Sequence, residues 1–383
     1  MKIKVRPEDF VVEELINEPI IKSGPYTVLK LKKRYWNTLD VIDYVARRLR
    51  VSKRLFSRAG LKDRYSLSTQ YLSFKGNMKH TIREKNFTVT PIGSAKKPIT
   101  PLCLAGNRFS ITLRNLKTKE IENIFENHNQ IKAFGIPNYF DEQRFGSARH
   151  RKGFFAKELM VKDYRGALRL LLCYSYKEDS RAVKCFKQCC HQHWGKWKEC
   201  LPLAVKHYRG IVRHLVAHPH DYRGAIKQID KELLNLYLLA YQSYLFNQTL
   251  SFFVEQYGDE ITEVPYSIGT FVFYRSLQEF QTLRNLKIPM INDKTSLNSI
   301  TGAAIKSVLA KEGVTQKDFA LRKMRFRGVR FKHFLRPAII IPKNFLLEKP
   351  QPDEIYKNSE KLKLRLTLPA GSYATMLIKR LMI

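Results

Sequence analysis

Acidic side chains are scarce in this chain. Across 383 residues, 34 Asp and Glu stand against 69 Lys and Arg, leaving a net charge of +35. Such an imbalance excludes an ordinary acidic metabolic enzyme and points to a polyanionic partner. Long apolar runs are also missing. No stretch approaches the roughly 20 consecutive apolar residues of a membrane-spanning helix, and the charged opening Met1–Phe10 has no apolar signal core. The positive charge is spread along the chain rather than gathered on one amphipathic helix, which argues against a membrane-surface protein. Cysteines number six (Cys103, Cys173, Cys185, Cys189, Cys190 and Cys200), too few and too clustered for the disulfide framework of a secreted protein. A reducing cytoplasm is expected. There is no internal repeat and no low-complexity linker.

What remains is enough to fold. The chain is 44% hydrophobic and 12% aromatic, which excludes a disordered basic tail, and its length suits about two domains. Alternation predicts strands within 8–32, where Phe10 and Val12 sit two apart and Leu29 and Leu31 alternate with Lys30 and Lys32. Asn37 and Thr38 cap a helix whose apolar stripe is Val41, Ile42, Val45 and Leu49. Further strands are expected at 65–74, 87–91 and 108–113, and an amphipathic helix from Ile121 to Phe134 closes at Gly135. From Glu158 to Phe253 the pattern is almost wholly helical; from Tyr266 to Arg336 it is mixed, and Lys361–Pro369 alternates again as a strand. The order implies an α+β sheet domain interrupted by a largely helical domain and completed by the C-terminus.

Three clusters set polar residues among glycines and aromatics. In Ala59–Tyr65, Gly60 is expected to make a turn that places Asp63 at a strand mouth, with Lys62 and Arg64 beside it. Nearby positive charge favours the ionised form of a carboxylate, as a nucleophile or base requires; Asp also commonly does no more than cap a turn. In Pro137–Gly146, aromatics interleaved with Asn138, Gln143 and Arg144 could stack and read an unpaired base, or form a buried strand end with polar caps. In Leu368–Met376, Pro369 and Gly371 set a tight turn that exposes Tyr373 ahead of a short helix.

Taken in order, AGLKDR, NYFDEQRFG, AYQSYLFN (Ala240–Asn247) and LPAGSYATM, with RPEDFVVEE (Arg6–Glu14) at the start, resemble the TruD family of tRNA pseudouridine synthases. The likeness runs from residue 4 to the C-terminus. Within the insert, His193–Trp197 and His218–Arg223 resemble the archaeal-like branch. The resemblance implies a pseudouridine-synthase catalytic domain in two parts, 1–154 and 339–383, around a helical insertion (TRUD) domain at 155–338. It implies an isomerisation in which the N1–C1′ bond of a uridine is cleaved and the uracil is rejoined through C5, with no cofactor and no metal. The family's catalytic aspartate falls on Asp63, as nucleophile or as base, and its active-site lysine on Lys4, where it would pair with the aspartate. Phe10, Asn138, Phe140 and Tyr373 fall on positions that contact the target nucleotide. The implied substrate is tRNA, at uridine 13 of the D-arm, and the protein is expected to be a monomer. Two departures stand out: Asp141 follows NYF where Gly is usual, and Tyr373 replaces a common Phe.

The basic stretch Arg322–Lys332 alternates cations with apolar residues and is expected to form a strand with a row of charges toward phosphates, or else a solvated edge. Cys185, Cys189, Cys190, His191, His193 and Cys200 invite a zinc reading, but without paired CxxC spacing no metal site is expected. Two rival functions are a non-catalytic RNA-binding protein on the same fold and a hydrolase pairing Asp63 with Glu142.

Overall fold

In a computed structural model of the protein, describing residues 1–148, 150–321, 326 and 328–383, the chain groups into two units. One unites Met1–Ile136 with Ile340–Ile383; the other is Pro137–Ile339. The NYF segment, expected in the first part of the catalytic domain, therefore groups with the second unit. Its physical tie is to the long helix of that unit, Lys231–Tyr257, through Asn247.

The first unit is built on a ten-stranded mixed sheet. Seven strands precede the insertion: β1 (Phe10–Ile16), β2 (Tyr26–Lys33), β3 (Phe56–Arg58), β4 (Leu67–Lys75), β5 (Ile82–Glu84), β6 (Phe87–Ala95) and β7 (Leu104–Leu116). Strands Lys343–Leu347, Gln351–Pro352 and Glu360–Pro369 come from the C-terminal part. The order is Lys343–Leu347, Glu360–Pro369, β7, β1, β4, β2, β6, β5, with Gln351–Pro352 beside Glu360–Pro369 and β3 beside β4. All these pairings are antiparallel except β1 with β4, where Val11 stands opposite Leu67.

Period-2 alternation explains which face each strand buries. Phe10 and Val12 of β1 and Leu29 and Leu31 of β2 point inward. Helix α1 (Thr38–Arg48) lays Val41, Ile42, Val45 and Ala46 on the core formed by Leu29, Leu31, Leu72, Phe74 and Val89. Helix α2 (Thr118–Phe134) ends at Gly135, whose φ of +71° is left-handed and whose missing Cβ would otherwise lie 2.5 Å from the Ile340 carbonyl oxygen. The two sequence-distant parts of this unit are joined by buried Arg114. Its guanidinium donates to Asp9 (2.9 Å), Asp353 (3.0 Å) and Glu354 (3.0 Å).

Among the described residues the second unit is helical from Phe155 to Tyr257 and continues in short strands with two further helices, Phe280–Asn285 and Gly302–Glu312. Its longest element, Lys231–Tyr257, is capped by Asp230, whose carboxylate accepts from the N–H groups of Glu232 and Leu233. Among the described residues no helix is long and apolar enough to cross a membrane.

Candidate active site

On β1 and β2 two inward positions carry charges. Glu14 on β1 follows Phe10 and Val12 on the buried face, and Lys33 ends β2 in line with Leu29 and Leu31; their exposures are 0% and 1%. Charges so placed must find partners, because burying one alone is costly. Both find them in the loop between β3 and β4 that carries Asp63.

Lys62 turns inward. Its Nζ lies 2.9 Å from Glu14 Oε1 and donates to Asn107 Oδ1 at 2.7 Å. The backbone at Gly60 is not left-handed, so a positive φ is not what calls for glycine there. A Cβ at Gly60 would stand 3.1 Å from Glu14 Oε1, so glycine serves close approach to the buried carboxylate. Arg64 turns away too, donating from Nε to the Tyr35 carbonyl at 2.9 Å. The cation at the Asp63 carboxylate is instead Lys4, with Nζ 2.5 Å from Oδ2. The sequence neighbours of Asp63 thus serve other partners, and a residue 59 positions earlier supplies the charge.

Strand direction explains that meeting. β1 and β4 are parallel neighbours, so Lys4, ahead of β1, and Asp63, ahead of β4, approach the sheet from the same end. Lys4 has a left-handed backbone with φ of 55°, a conformation costly for a residue with a Cβ. It is spanned by anchors: Lys2 exchanges backbone hydrogen bonds with Arg114 (2.7 and 2.9 Å), and Arg6 N–H donates to Asp9 Oδ2 at 2.9 Å. Lys4 Nζ also lies 4.3 Å from the centroid of the Phe10 ring, which packs edge-on against Phe109. Asp63 itself is open, its side chain 47% exposed.

The structure therefore brings Lys4, Phe10 and Asp63 together. Tyr373 belongs to the same unit, half-buried, at the start of helix Ala374–Leu381 and after a turn in which Gly371 has φ of +82°. Asn138 and Phe140 belong to the second unit, where both are buried. The Asn138 side-chain amide donates to the Pro337 carbonyl at 3.0 Å, and its oxygen accepts from Arg336 Nη2 at 2.6 Å. The Arg336 guanidinium lies 4.2 Å from the Phe140 ring centroid. Asn247 then locks the segment by donating to the Phe140 carbonyl and accepting from its N–H, each at 2.9 Å. Two motifs far apart in the chain, NYF and AYQSYLFN, are thus one packed assembly. Asp141 is buried as well, and its carbonyl accepts from Arg144 N–H at 2.8 Å.

Sequence reading missed Glu14, Lys33 and Arg336. A charged residue at an inward position of an alternating strand was a usable signal for the first two; Arg336 gave none.

Of the basic stretch, Arg322–Arg325 and Arg327 lie outside the described residues. Val329 and Phe331 are buried while Arg330 and Lys332 are exposed, yet 328–334 form no regular strand. Amides of the long helix substitute for a partner strand: Asn235 Oδ1 accepts from Arg330 N–H at 3.2 Å, and Gln242 both accepts from Lys332 N–H (3.2 Å) and donates to its carbonyl (2.8 Å).

All six cysteines are free thiols. Cys189 and Cys200 bring their sulfurs to 3.6 Å, and burial pushes the Cys200 thiol up to about 11 and Cys173 up to about 12. Among the described residues no group of three or more His, Cys, Asp or Glu side chains is placed to hold a metal ion.

A family model described as tRNA pseudouridine synthase D (TruD) matches residues 1–381. The chain is 33% identical to the probable tRNA pseudouridine synthase D 1 of Methanococcus maripaludis, over 99% of each chain. It is 34% identical to the probable tRNA pseudouridine synthase D 2 of Methanocaldococcus jannaschii, over 99% of this chain and 91% of that one. A crystal structure of a putative tRNA pseudouridine synthase D from Methanosarcina mazei superposes with a TM-score of 0.74 at 25% identity, covering 100% of this chain and 93% of that one.

Proposed function

The chain belongs to the tRNA pseudouridine synthase D family, and from that premise we propose that it isomerises uridine 13, in the D-arm of tRNA, with Asp63 as the catalytic carboxylate. The enzyme is an isomerase acting on tRNA uridine. The observation that supports the assignment most directly is the Lys4–Asp63 ion pair at 2.5 Å. It joins an exposed carboxylate to a cation held in a strained backbone, beside an aromatic ring suited to a flipped base.

In this reading Asp63 either attacks C1′ or removes the 2′ proton, and each role needs an ionised, oriented oxygen. Lys4 orients it. Phe10 and Tyr373, on the first unit, are the rings assigned to the displaced uracil, and Asn138 and Phe140, on the second, are assigned nucleotide contacts of their own. For Asn138 that contact means exchanging its bond to Arg336 or Pro337 for the uracil edge.

The test is Asp63→Asn on unmodified tRNA, with pseudouridine mapped by chemical adduct and primer extension. Loss of isomerisation with tRNA affinity nearly intact is expected; substantial turnover would remove Asp63 from the role. A wild-type enzyme that binds tRNA and forms no pseudouridine would favour the non-catalytic RNA-binding alternative. In the same reading the enzyme acts as a monomer in the cytoplasm; a dimer mass by light scattering would overturn the first part.

A further inference from the structure

We propose that Lys33 is a positioning residue for the catalytic carboxylate, its buried side chain holding the backbone of the loop that aims Asp63. The inference rests on Asp63 being the catalyst.

Lys33 occupies the last inward position of β2, where Leu29 and Leu31 set the pattern, and only 1% of it is exposed. An ammonium there would ordinarily need a carboxylate partner. Its hydrogen bonds go instead to two backbone carbonyls, of Lys62 at 3.1 Å and Asp63 at 2.9 Å. The Asp63 carbonyl also accepts from Ser66 Oγ at 3.0 Å, and Ser66 is wholly buried. Lys62 N–H donates to Thr38 Oγ1 at 3.4 Å, and Gln70 reaches the Gly60 carbonyl at 3.5 Å. From Gly60 to Asp63 the loop therefore leans on side chains of β2, α1 and β4 and of the loop itself, and only Lys33 among these four is charged. Held on its backbone, Asp63 keeps its carboxylate exposed and free to meet Lys4 and substrate.

A loop staple that served stability alone would leave the rate of isomerisation insensitive to the protonation of Lys33. Burial is the largest influence on Lys33 and lowers its pKa to about 8; Asp63 and Glu14 act in the raising direction and Lys62 in the lowering one. Its cross-strand neighbours, Ser68 on β4 and Phe87 on β6, bring no charge. Above pH 8 the amine is neutral and its hydrogen bonds lose their charge assistance. Stability moves the other way. The folded pKa lies below the ordinary 10.5, so the unfolded chain binds more protons between the two values, and the burial penalty, complete below pH 8, is relieved as pH rises toward 10.5.

The experiment compares single-turnover isomerisation by wild-type enzyme and Lys33→Met between pH 6.5 and 9, with tRNA affinity and thermal unfolding measured in parallel. Wild type is expected to lose rate with a midpoint about pH 8. Lys33→Met is expected to be slower at pH 7 by about 10- to 100-fold, the scale of a misplaced catalytic group. It should show no such limb and leave tRNA affinity unchanged. A rate equal to wild type, or the same alkaline limb in the variant, overturns the proposal. Should Lys33→Met not fold, a wild-type rate flat across that range overturns it equally. Asp63→Asn run alongside separates the two failures: if it still turns over, the catalyst is misassigned, whereas an inactive Asp63→Asn beside a fully active Lys33→Met sinks this inference alone.

Discussion

The Asp63 carboxylate takes its cation from Lys4 rather than from either adjacent residue, and this decides what the pair is for. Ion pairs at exposed surfaces contribute about 0–1 kcal/mol, and nearly half of the Asp63 side chain is exposed. Stability alone would not explain a lysine kept in a left-handed backbone to make this contact. Replacing Lys4 by Met is accordingly expected to leave thermal unfolding within about 1 kcal/mol of wild type while lowering the single-turnover rate about 100-fold, the usual scale for removing one electrostatic partner of a reacting group. A rate within threefold of wild type would mark the pair as ordinary surface. The family resemblance implied the pairing of Lys4 with Asp63 that the structure shows, whereas adjacency in the chain alone pointed elsewhere. Lys62 and Arg64 looked like the partners because they are adjacent. Their choice of Glu14 and the Tyr35 carbonyl depends on strand order, which brings a buried carboxylate within reach of one and a turn within reach of the other.

At the scale of elements, alternation and helical spacing placed most strands of the first unit because each has one buried face. What they could not place was NYF. Its residues suited a reader of bases and a buried strand end with polar caps equally, and the long helix holds the segment inside the second unit through Asn247. An amide that both donates to and accepts from one buried residue acts as a missing strand partner, and single-sequence periodicity carries no trace of it. Asn247→Ala removes the two hydrogen bonds that its amide makes to the N–H and C=O of Phe140. A loss of about 3 kcal/mol is expected, since each unpaired buried backbone group costs about 1–3 kcal/mol. Urea titration of the variant checks this; a change under 1 kcal/mol would mean that water or another group replaces the amide.

For the molecule as a whole, charge and chemistry divide. A net +35 draws the enzyme to any polyanion, and phosphate contacts position RNA without identifying a base. In the function proposed for it, the exchange at uridine rests on one of the 34 acidic residues, on a loop whose backbone accepts hydrogen bonds from buried Lys33. The two jobs should respond differently to salt. Neutralising Arg325, Arg327 and Arg330 together as Gln is expected to reduce the slope of log affinity against log salt by about 2 to 3, near one for each phosphate that an arginine no longer neutralises. The single-turnover rate at saturating enzyme should remain that of wild type, because the reacting sugar keeps all of its own partners. Filter binding of tRNA from 50 to 300 mM KCl measures the first quantity, and rapid quench with excess enzyme the second. An unchanged slope would assign the stretch to solvent alone. A lowered saturating rate would mean that these arginines act on the target nucleotide, and that docking and chemistry share residues after all.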